Sequence, residues 1–532
     1  LNVYNMSNLL RLLFRRIKEA DKDTWLTDKF NTLKNDEERV IFTFEVMQEF
    51  NVVPKVKNVS KNLVDSIKFR EEGNKLFLTN PLNGYKCIKV LELYTKSIAY
   101  ANPSSEELAL AYANRSAVLS KIHKYELSIQ DIDRALSLNY PDELKVKLYV
   151  RKVECLMSLN DPNRKKFQSK LQYLHGQSKK GLKNNKEKHY GRHIVATRDI
   201  SPGEVITVEK PYSFLLRPDN IYTHCSHCLE VSLASIPCDH CVYALYCSEK
   251  CKLEDWKKYH DIECPVFSIL FEISDYIKFD LFSARIAIQA IREFKSLENL
   301  RKQIKEVDEW DGIYNDKYIS IYCLTTNTEK RSAIDLFRRS VDACIILYLL
   351  ATRTVIFGNK LEDELSVLVK NKDVTLIGGL ILRHQQLIPS NVHSVNSKER
   401  GVVAMAFCSL FNHSCNPNVL RFSRSRDMIM YAAYPIQKGE QLLDNYGQHY
   451  AIMEKSKRQE GLLKQYYFEC NCIACKWDWP PYFALYSYQV STIYKFILYD
   501  HAPMPCKEMN EVVETIKRVY CLSGNRFDLP VM

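Results

Sequence analysis

Twelve side chains in this sequence have the type and spacing to hold metal ions. Residues 225–264 contain Cys225-x2-Cys228, Cys238-x2-Cys241, Cys247-x3-Cys251 and His260-x3-Cys264. Eight soft ligands in so short a run satisfy two tetrahedral Zn²⁺ ions with none left over, and each ion then has no open coordination position. A segment of this size buries too little apolar surface to fold alone, so bound metal must supply folding free energy. Spacing does not say which ligands share an ion. His227 and His240 lie inside the run and are read as bystanders. A third set, Cys470, Cys472 and Cys475 in FECNCIAC, offers three thiolates, and Cys415 in NHSCNPN is taken as the fourth. Clustered cysteines in a large chain with no recognisable secretory signal point to metal rather than disulfides.

Three further segments carry polar residues of another kind: 186–204 (KEKHYGRHIVATRDISPGE), 407–418 (FCSLFNHSCNPN) and 438–447 (KGEQLLDNYG). In this order they resemble the SET domain of protein-lysine methyltransferases. The cysteine run between the first and second resembles the MYND zinc finger. That split arrangement is similar to the SET and MYND domain-containing (SMYD) family, over roughly residues 60–480. A helical repeat array ahead of it makes the chain most similar to the family's fourth member.

The resemblance implies an interleaved finger, with Cys225, Cys228, Cys247 and Cys251 on one ion and Cys238, Cys241, His260 and Cys264 on the other. It implies S-adenosylmethionine as cofactor. Asn412 and His413 match the pair that holds its amino-acid and adenine portions, Gly191 and Arg192 the N-terminal cofactor loop, Asn391 an asparagine ahead of the core, and Phe468 an aromatic closing over the adenine. Asn416 and Asn418 are read as satisfying turn backbone. Tyr446 matches the catalytic tyrosine. Its setting suits that role, because a strand-like run (Glu440–Leu443) precedes it and Gly447 follows. A substrate lysine with a free pKa of about 10.4 is mostly protonated. It must be desolvated, lose a proton and be aimed by a phenol and by backbone carbonyls at the methyl group.

These residues need a scaffold. The chain has 532 residues, 46% hydrophobic and 26% charged, with only 15 Gly and 18 Pro. That excludes global disorder and fibrous classes and favours several helix-rich domains. No apolar run is long enough to span a membrane. The expected fold is α+β. An N-terminal helical segment (1–60) precedes a tetratricopeptide array (61–160) and a basic linker (161–185). The SET N-terminal part (186–224), the finger (225–264), a helical insert (265–385) with Cys344–Leu350 as buried helix core, the SET core (386–450) and the post-SET motif (451–478) follow. Short C-terminal helices (479–532) end the chain. The family's long C-terminal domain, which walls the substrate cleft, is therefore cut short or reduced.

The array is read from repeating helix pairs with Gly73, Ser116 and Val153 as the small residues of successive first helices. Ser128 and Ala135 join Ser116 at the crossing, Tyr125 fills it, and Pro141 ends the second helix. Arg70 and Asn74, then Asn114, then Lys147 and Arg151 fall on the first helices. Each i,i+4 pair shares a helix face. The set is similar to the dicarboxylate clamp that holds the acidic tails of Hsp90 and Hsp70, except that Arg70 stands where lysine is usual.

Net charge is +11, and residues 161–200 hold eleven Lys and Arg against three Asp and Glu. Without interleaved aromatics or a basic recognition helix, direct DNA binding is disfavoured. Two functions compete: a protein-lysine methyltransferase of cytoplasm and nucleus that regulates transcription or development, and a SET-fold adaptor or co-repressor that recruits proline-rich peptides or chaperones.

Overall fold

The computed structural model describes residues 5–54, 56, 59–79, 83–159, 182–187, 191–274, 279–309, 317–395 and 400–481. The chain divides into two units, Leu1–Asn412 with Asn418–Asp444, and His413–Pro417 with Asn445–Met532.

The first unit opens with α1 (Met6–Glu19), α2 (Asp23–Asn31) and α3 (Asp36–Glu49). Asn5 and Asn35 cap α1 and α3 by accepting from backbone N–H groups of the first turn. A stack of helices follows: α4 (Leu63–Phe77), α5 (Gly84–Tyr100), α6 (Glu106–Lys121), α7 (Tyr125–Leu136) and α8 (Lys145–Leu159). Each packs on the next. Gly73 is required where α4 meets α5, because a Cβ there would lie 2.6 Å from the Tyr94 ring. The crossing of α6 and α7 is filled by Ser116 and Ser128, whose Oγ donates to Ser116 O at 2.9 Å, with Cys155 of α8 against it. Tyr125 does not fill it. Tyr125 begins α7 and its hydroxyl pairs with His123 Nδ1 at 2.7 Å. Pro141 does not end α7 either, since the helix stops at Leu136 and Pro141 caps a short 3₁₀ turn. Val153 is 50% exposed and serves no packing role among the described residues.

Small antiparallel sheets come next. Strand β1 (Leu182–Glu187) pairs with β2 (Gly191–Ala196), so part of the expected linker is strand. Strand β3 (Val205–Glu209) and β4 (Ser213–Leu216) lead to the finger, which contains β5 (Ile236–Pro237), β6 (Leu245–Tyr246) and α9 (Glu249–Asp255). The insert comprises α10 (Asp261–Ile273), α11 (Phe279–Phe294), α12 (Leu297–Lys305), α13 (Tyr318–Tyr322), α14 (Ala333–Arg353), α15 (Leu365–Lys370) and α16 (Lys372–Asn391). Its first helix begins inside the finger's ligand run, and its last passes the boundary expected at residue 385. Strands β7 (Val392–Val395), β8 (Gly401–Ala404), β9 (Asn412–His413), β10 (Val419–Arg424), β11 (Asp427–Ala432) and β12 (Leu443–Asp444) complete the α+β core. Sheet orders are β10-β11-β3 and β4-β8-β7. The run expected at Glu440–Leu443 forms regular strand only at Leu443–Asp444, although Gln441 bridges to Val195.

One apolar core links the N-terminal helices, the insert, the sheets and the finger. Cys344–Leu350 lies at its centre. The N-terminal helices are part of the insert's packing: Phe14 and Phe30 meet Phe337 edge-on, and Thr43 Oγ1 donates to Ser340 Oγ at 2.8 Å. Helix α3 reaches α16 through Gly378 and Gly379. No described helix is long and apolar enough to cross a membrane.

The second unit contains α17 (Lys455–Tyr466) and α18 (Ile473–Lys476) around Cys415. The expected C-terminal helices lie almost wholly outside the described residues, as does most of the basic linker.

A Cβ at residue 379 would meet Glu37 Cγ at 2.9 Å and Glu37 N at 3.1 Å, whereas one at Gly84 meets nothing within 4 Å. Gly379→Ala should therefore lower stability by about 1–3 kcal/mol despite its gain in helix propensity, while Gly84→Ala should raise it slightly. Paired chemical-denaturation curves read both signs.

Candidate functional site

The structure gathers the twelve ligands into three groups of four: Cys225, Cys228, Cys247 and Cys251; Cys238, Cys241, His260 and Cys264; and Cys415, Cys470, Cys472 and Cys475. Within each group all donor atoms lie within 4.8 Å of one another. Sulfur–sulfur distances run from 3.5 to 4.0 Å. A tetrahedron with Zn–S bonds of about 2.3 Å has edges near 3.8 Å, so the donor sets fit Zn²⁺. Short turns bring the pairs together. Ser248, for example, caps α9 by accepting from Cys251 N, which sets Cys247 and Cys251 at one helix start.

Behind the second group, His260 Nδ1 faces Glu263 Oε1 at 3.0 Å. Glu263 in turn receives Arg285 Nη2 at 2.6 Å and Nε at 3.0 Å, and Arg285 Nη1 donates to Phe214 O of β4 at 2.8 Å. This chain fixes the imidazole and ties the finger to the sheet. His227 stands outside all three donor groups, as expected, but has partners of its own. It meets Asp255 Oδ1 at 3.1 Å, and Arg426 Nη1 donates to its carbonyl at 2.9 Å. The His240 ring packs against Trp256, and its backbone N donates to Cys238 Sγ at 3.5 Å.

In the second unit, fully buried Arg458 donates to Cys475 Sγ at 3.7 Å and to Met453 O at 2.5 Å, placing a positive charge beside the four cysteine sulfurs. His413 Nε2 lies 3.4 Å from Cys415 Sγ, and its Nδ1 accepts from Tyr446 N at 3.1 Å. Desolvation holds the His413 pKa down, to about 4. The ring is thus neutral near pH 7, with an acceptor aimed at the Tyr446 amide. Tyr446 sits half-buried in an aromatic group, 5.2 Å from His413 and 4.7 Å from Tyr466 by ring centroids, and Phe468 lies 6.1 Å from His413. Tyr466 Oη donates to Tyr446 O at 3.4 Å. Tyr467, at φ +60°, ends α17 and turns the chain toward Phe468 and Cys470. Asn445 Nδ2 donates to Ser414 O and its Oδ1 accepts from Gly447 N, both at 2.9 Å. Gly447 at φ +102° completes the turn.

In the first unit, Gly191 at φ +64° starts β2. Arg192 donates to Cys323 O. Asn391 ends α16 rather than lying in a loop, and its Nδ2 donates to Thr325 O at 2.8 Å and Leu387 O at 2.7 Å. Both residues therefore anchor the segment 323–327, which contains Asn327 in the left-handed region, donating to Ser390 Oγ at 3.3 Å. Asn412 is half-buried at the start of β9. Asn418 Nδ2 donates to Gln441 O and its Oδ1 accepts from Leu443 N, so it serves the turn, and Asn416 N donates to the Ser414 hydroxyl. Glu209 receives Phe407 N at 3.0 Å and Cys408 N at 2.7 Å, positioning the segment before Asn412. Arg421 pairs with Asp444 beneath it, next to buried His393.

The clamp residues share one side of the helical stack but are largely engaged. Arg70 is paired with Glu107, Asn114 Nδ2 donates to Asn74 Oδ1 at 2.8 Å, and Arg151 donates to Ala113 O and Ser116 Oγ. Lys147 alone of the five is fully exposed.

Sequence reading missed Tyr466, Glu209, the segment 323–327 and Glu107. Tyr466 stands two residues from Phe468 in a tyrosine pair and offered a local signal. The others are brought in from distant sequence and offered none.

Closed soft-ligand groups, small sheets and the NHSC and NYG turns together resemble a SET domain. The SET domain model matches residues 191–447. The chain resembles the SET and MYND domain-containing family and is most like its SMYD4 members. Protein-lysine N-methyltransferase SMYD4 of Pongo abelii is 25% identical, over 79% of this chain and 68% of that protein. The Danio rerio protein of that name is 26% identical, over 81% and 68%. A SET and MYND domain-containing protein of Dictyostelium discoideum is 24% identical, over 56% and 82%. Among solved structures, the SET domain of LSMT bound to lysine and AdoHcy aligns with 15% identity and a TM-score of 0.22, over 56% of this chain and 54% of that one.

Purified protein should carry three zinc ions per chain, and Cys415→Ser should carry two, by elemental analysis. Glu263→Gln should keep three but lose about 10–100-fold in affinity at the second finger site, read by competition with a chromogenic chelator.

Proposed function

We propose that the protein is an S-adenosylmethionine-dependent protein-lysine N-methyltransferase. The observation that carries this reading is the setting of Tyr446. Its backbone is fixed by His413, Asn445 and Gly447, and its ring is held between His413 and Tyr466 beside a closed cysteine group. The SET domain and the SMYD4 relatives support a lysine methyltransferase. The substrate, the regulatory role in transcription or development and the cellular site belong to the proposal, reduced thiolate sites fitting cytoplasm and nucleus.

Bound S-adenosylmethionine supplies a methyl group on a positively charged sulfur. The resemblance assigns its contacts to Gly191, Arg192, Asn391, Asn412, His413 and Phe468. Because both His413 ring nitrogens are already engaged, what it offers a ligand is its backbone and ring edge. Asn391 likewise keeps its Oδ1, its carbonyl already accepting from Ser409 Oγ at 2.8 Å. The Tyr446 and Tyr466 rings make an apolar surround with hydroxyls at its edge. Such a surround strips water from an incoming ammonium, favours its neutral form and lets an oriented oxygen aim the lone pair. All three metal groups have four protein ligands, so their Zn²⁺ ions hold geometry in place.

A second reading, an adaptor with little activity, draws on the helical stack and finger. Its acidic-tail version is weakened by the Arg70–Glu107 pair, which places a carboxylate of the protein's own where a ligand carboxylate would bind.

Isothermal titration of zinc-replete protein with S-adenosylmethionine separates the two. Saturable binding that is lost in Asn412→Ala supports the enzyme. Tyr446→Phe should then keep binding but lose about a hundredfold or more in methyl transfer to lysine-containing protein substrates. A folded, zinc-loaded protein that does not bind the cofactor would leave the adaptor.

A further inference from the structure

Where β3 leaves its sheet, the finger and the insert border an open pocket of about 380 Å³ that none of the roles above uses. Lys210 comes from the turn between β3 and β4, Lys257 and Lys258 from the π-helical turn after α9, and Gln289 and Arg292 from α11. Arg292 is already paired with Asp261, and it donates to Lys257 O at 2.6 Å. Glu293, also on the wall, accepts from Tyr318 N at 3.1 and 3.2 Å. Among the described residues none of the three lysines has a carboxylate partner. Lys258 is the most enclosed of them. Its Nζ donates to Tyr212 O at 3.1 Å and lies 5.3 Å from the Phe214 ring centre. Gln289 is 5% exposed; its Nε2 donates to Tyr212 O at 3.3 Å, and its Oε1 is buried with no hydrogen-bond partner.

Two unfavourable terms meet here. Three lysine side chains line one concavity without a paired carboxylate, so their positive charge is uncompensated there. A buried acceptor also lacks a donor. A ligand that relieves both brings more than one negative charge and its own N–H or O–H. A phosphoryl group carries about −1.5 to −2 charges and three acceptor oxygens near pH 7, enough for three lysines; a single carboxylate does not match this set. We propose that the pocket binds a phosphate-class oxyanion, with Lys210, Lys257 and Lys258 as its counter-charges and Gln289 Oε1 accepting from the ligand's own O–H or N–H. Free phosphate and a phosphorylated side chain share this chemistry.

The test uses the full, zinc-replete chain in chloride buffer. Inorganic phosphate is titrated by calorimetry against wild type and a Lys210→Gln/Lys257→Gln double variant, whose changes fall at exposed positions; zinc content is measured on both. The expected result is saturable binding in the wild type, weakened about tenfold or more in the variant. A phosphoserine tripeptide and its unphosphorylated counterpart form the second arm. Tighter binding of the phosphopeptide than of free phosphate identifies a protein-borne ligand, and equal binding identifies the free anion. Absence of saturable binding to either, equal binding by wild type and variant, or preference for a labelled DNA duplex that phosphopeptide does not displace overturns the proposal.

Discussion

Four sulfur or nitrogen donors drawn within 4.8 Å of one another fit a tetrahedral metal ion, and the chain must fold so as to bring them there. This constraint is met three times, and much of the remaining structure follows from it. The finger, with its two-residue strands, owes its shape to two such groups. One of them extends inward through His260, Glu263 and Arg285 to a carbonyl of β4. The finger is thus continuous with the sheet and shares its apolar core. The third group acts on the chemistry more directly. Cys415 holds one nitrogen of His413, whose other nitrogen holds the amide of Tyr446. Metal loading therefore bears on the tyrosine through a single imidazole.

Buried charges do the rest of the positioning. Arg115 and Asp131 are both 0% exposed and bidentate, and Arg115 also donates to Ser235 O of the finger at 2.8 Å, with Arg134 reaching Ala234 O beside it. Such pairs add little net stability, because desolvation offsets their attraction, but losing one partner strands a charge. At these places they select a single docking of helical stack on finger.

Legibility in the sequence followed the range of each interaction. Ligand spacings, the α+β composition and the turns around Asn416 and Tyr446 are local, and they could be read residue by residue. The packing of α3 on α16 could not. It requires glycine at 378 and 379, and the same helix α3 joins Thr43 to Ser340 of α14, a partner almost 300 residues away that nothing near Thr43 in sequence announces. The segment 323–327 was invisible for the same reason: Arg192 and Asn391 reach it through the carbonyls of Cys323 and Thr325, which any residue supplies. The clamp shows the opposite failure. Its five residues have the right spacing, but spacing says nothing of Glu107, which becomes Arg70's partner only when α4 and α6 stack.

The Tyr446 region depends on hydrogen bonds that consume most of the polar atoms around it. His413 keeps no free ring nitrogen, Asn445 is spent on the turn, and Tyr466 Oη points to a backbone carbonyl. A site assembled this way has few groups able to act as a strong base. That suits a reaction in which the amine must already be neutral when it attacks. Deprotonation is then favoured by removing water from around the ammonium, a task for aromatic rings, and the oriented oxygens are left to aim the lone pair. On the proposed methyltransferase function, the aromatic density of His413, Tyr446, Tyr466 and Phe468 belongs to the chemistry, and thinning it should impair turnover even where every hydrogen bond survives.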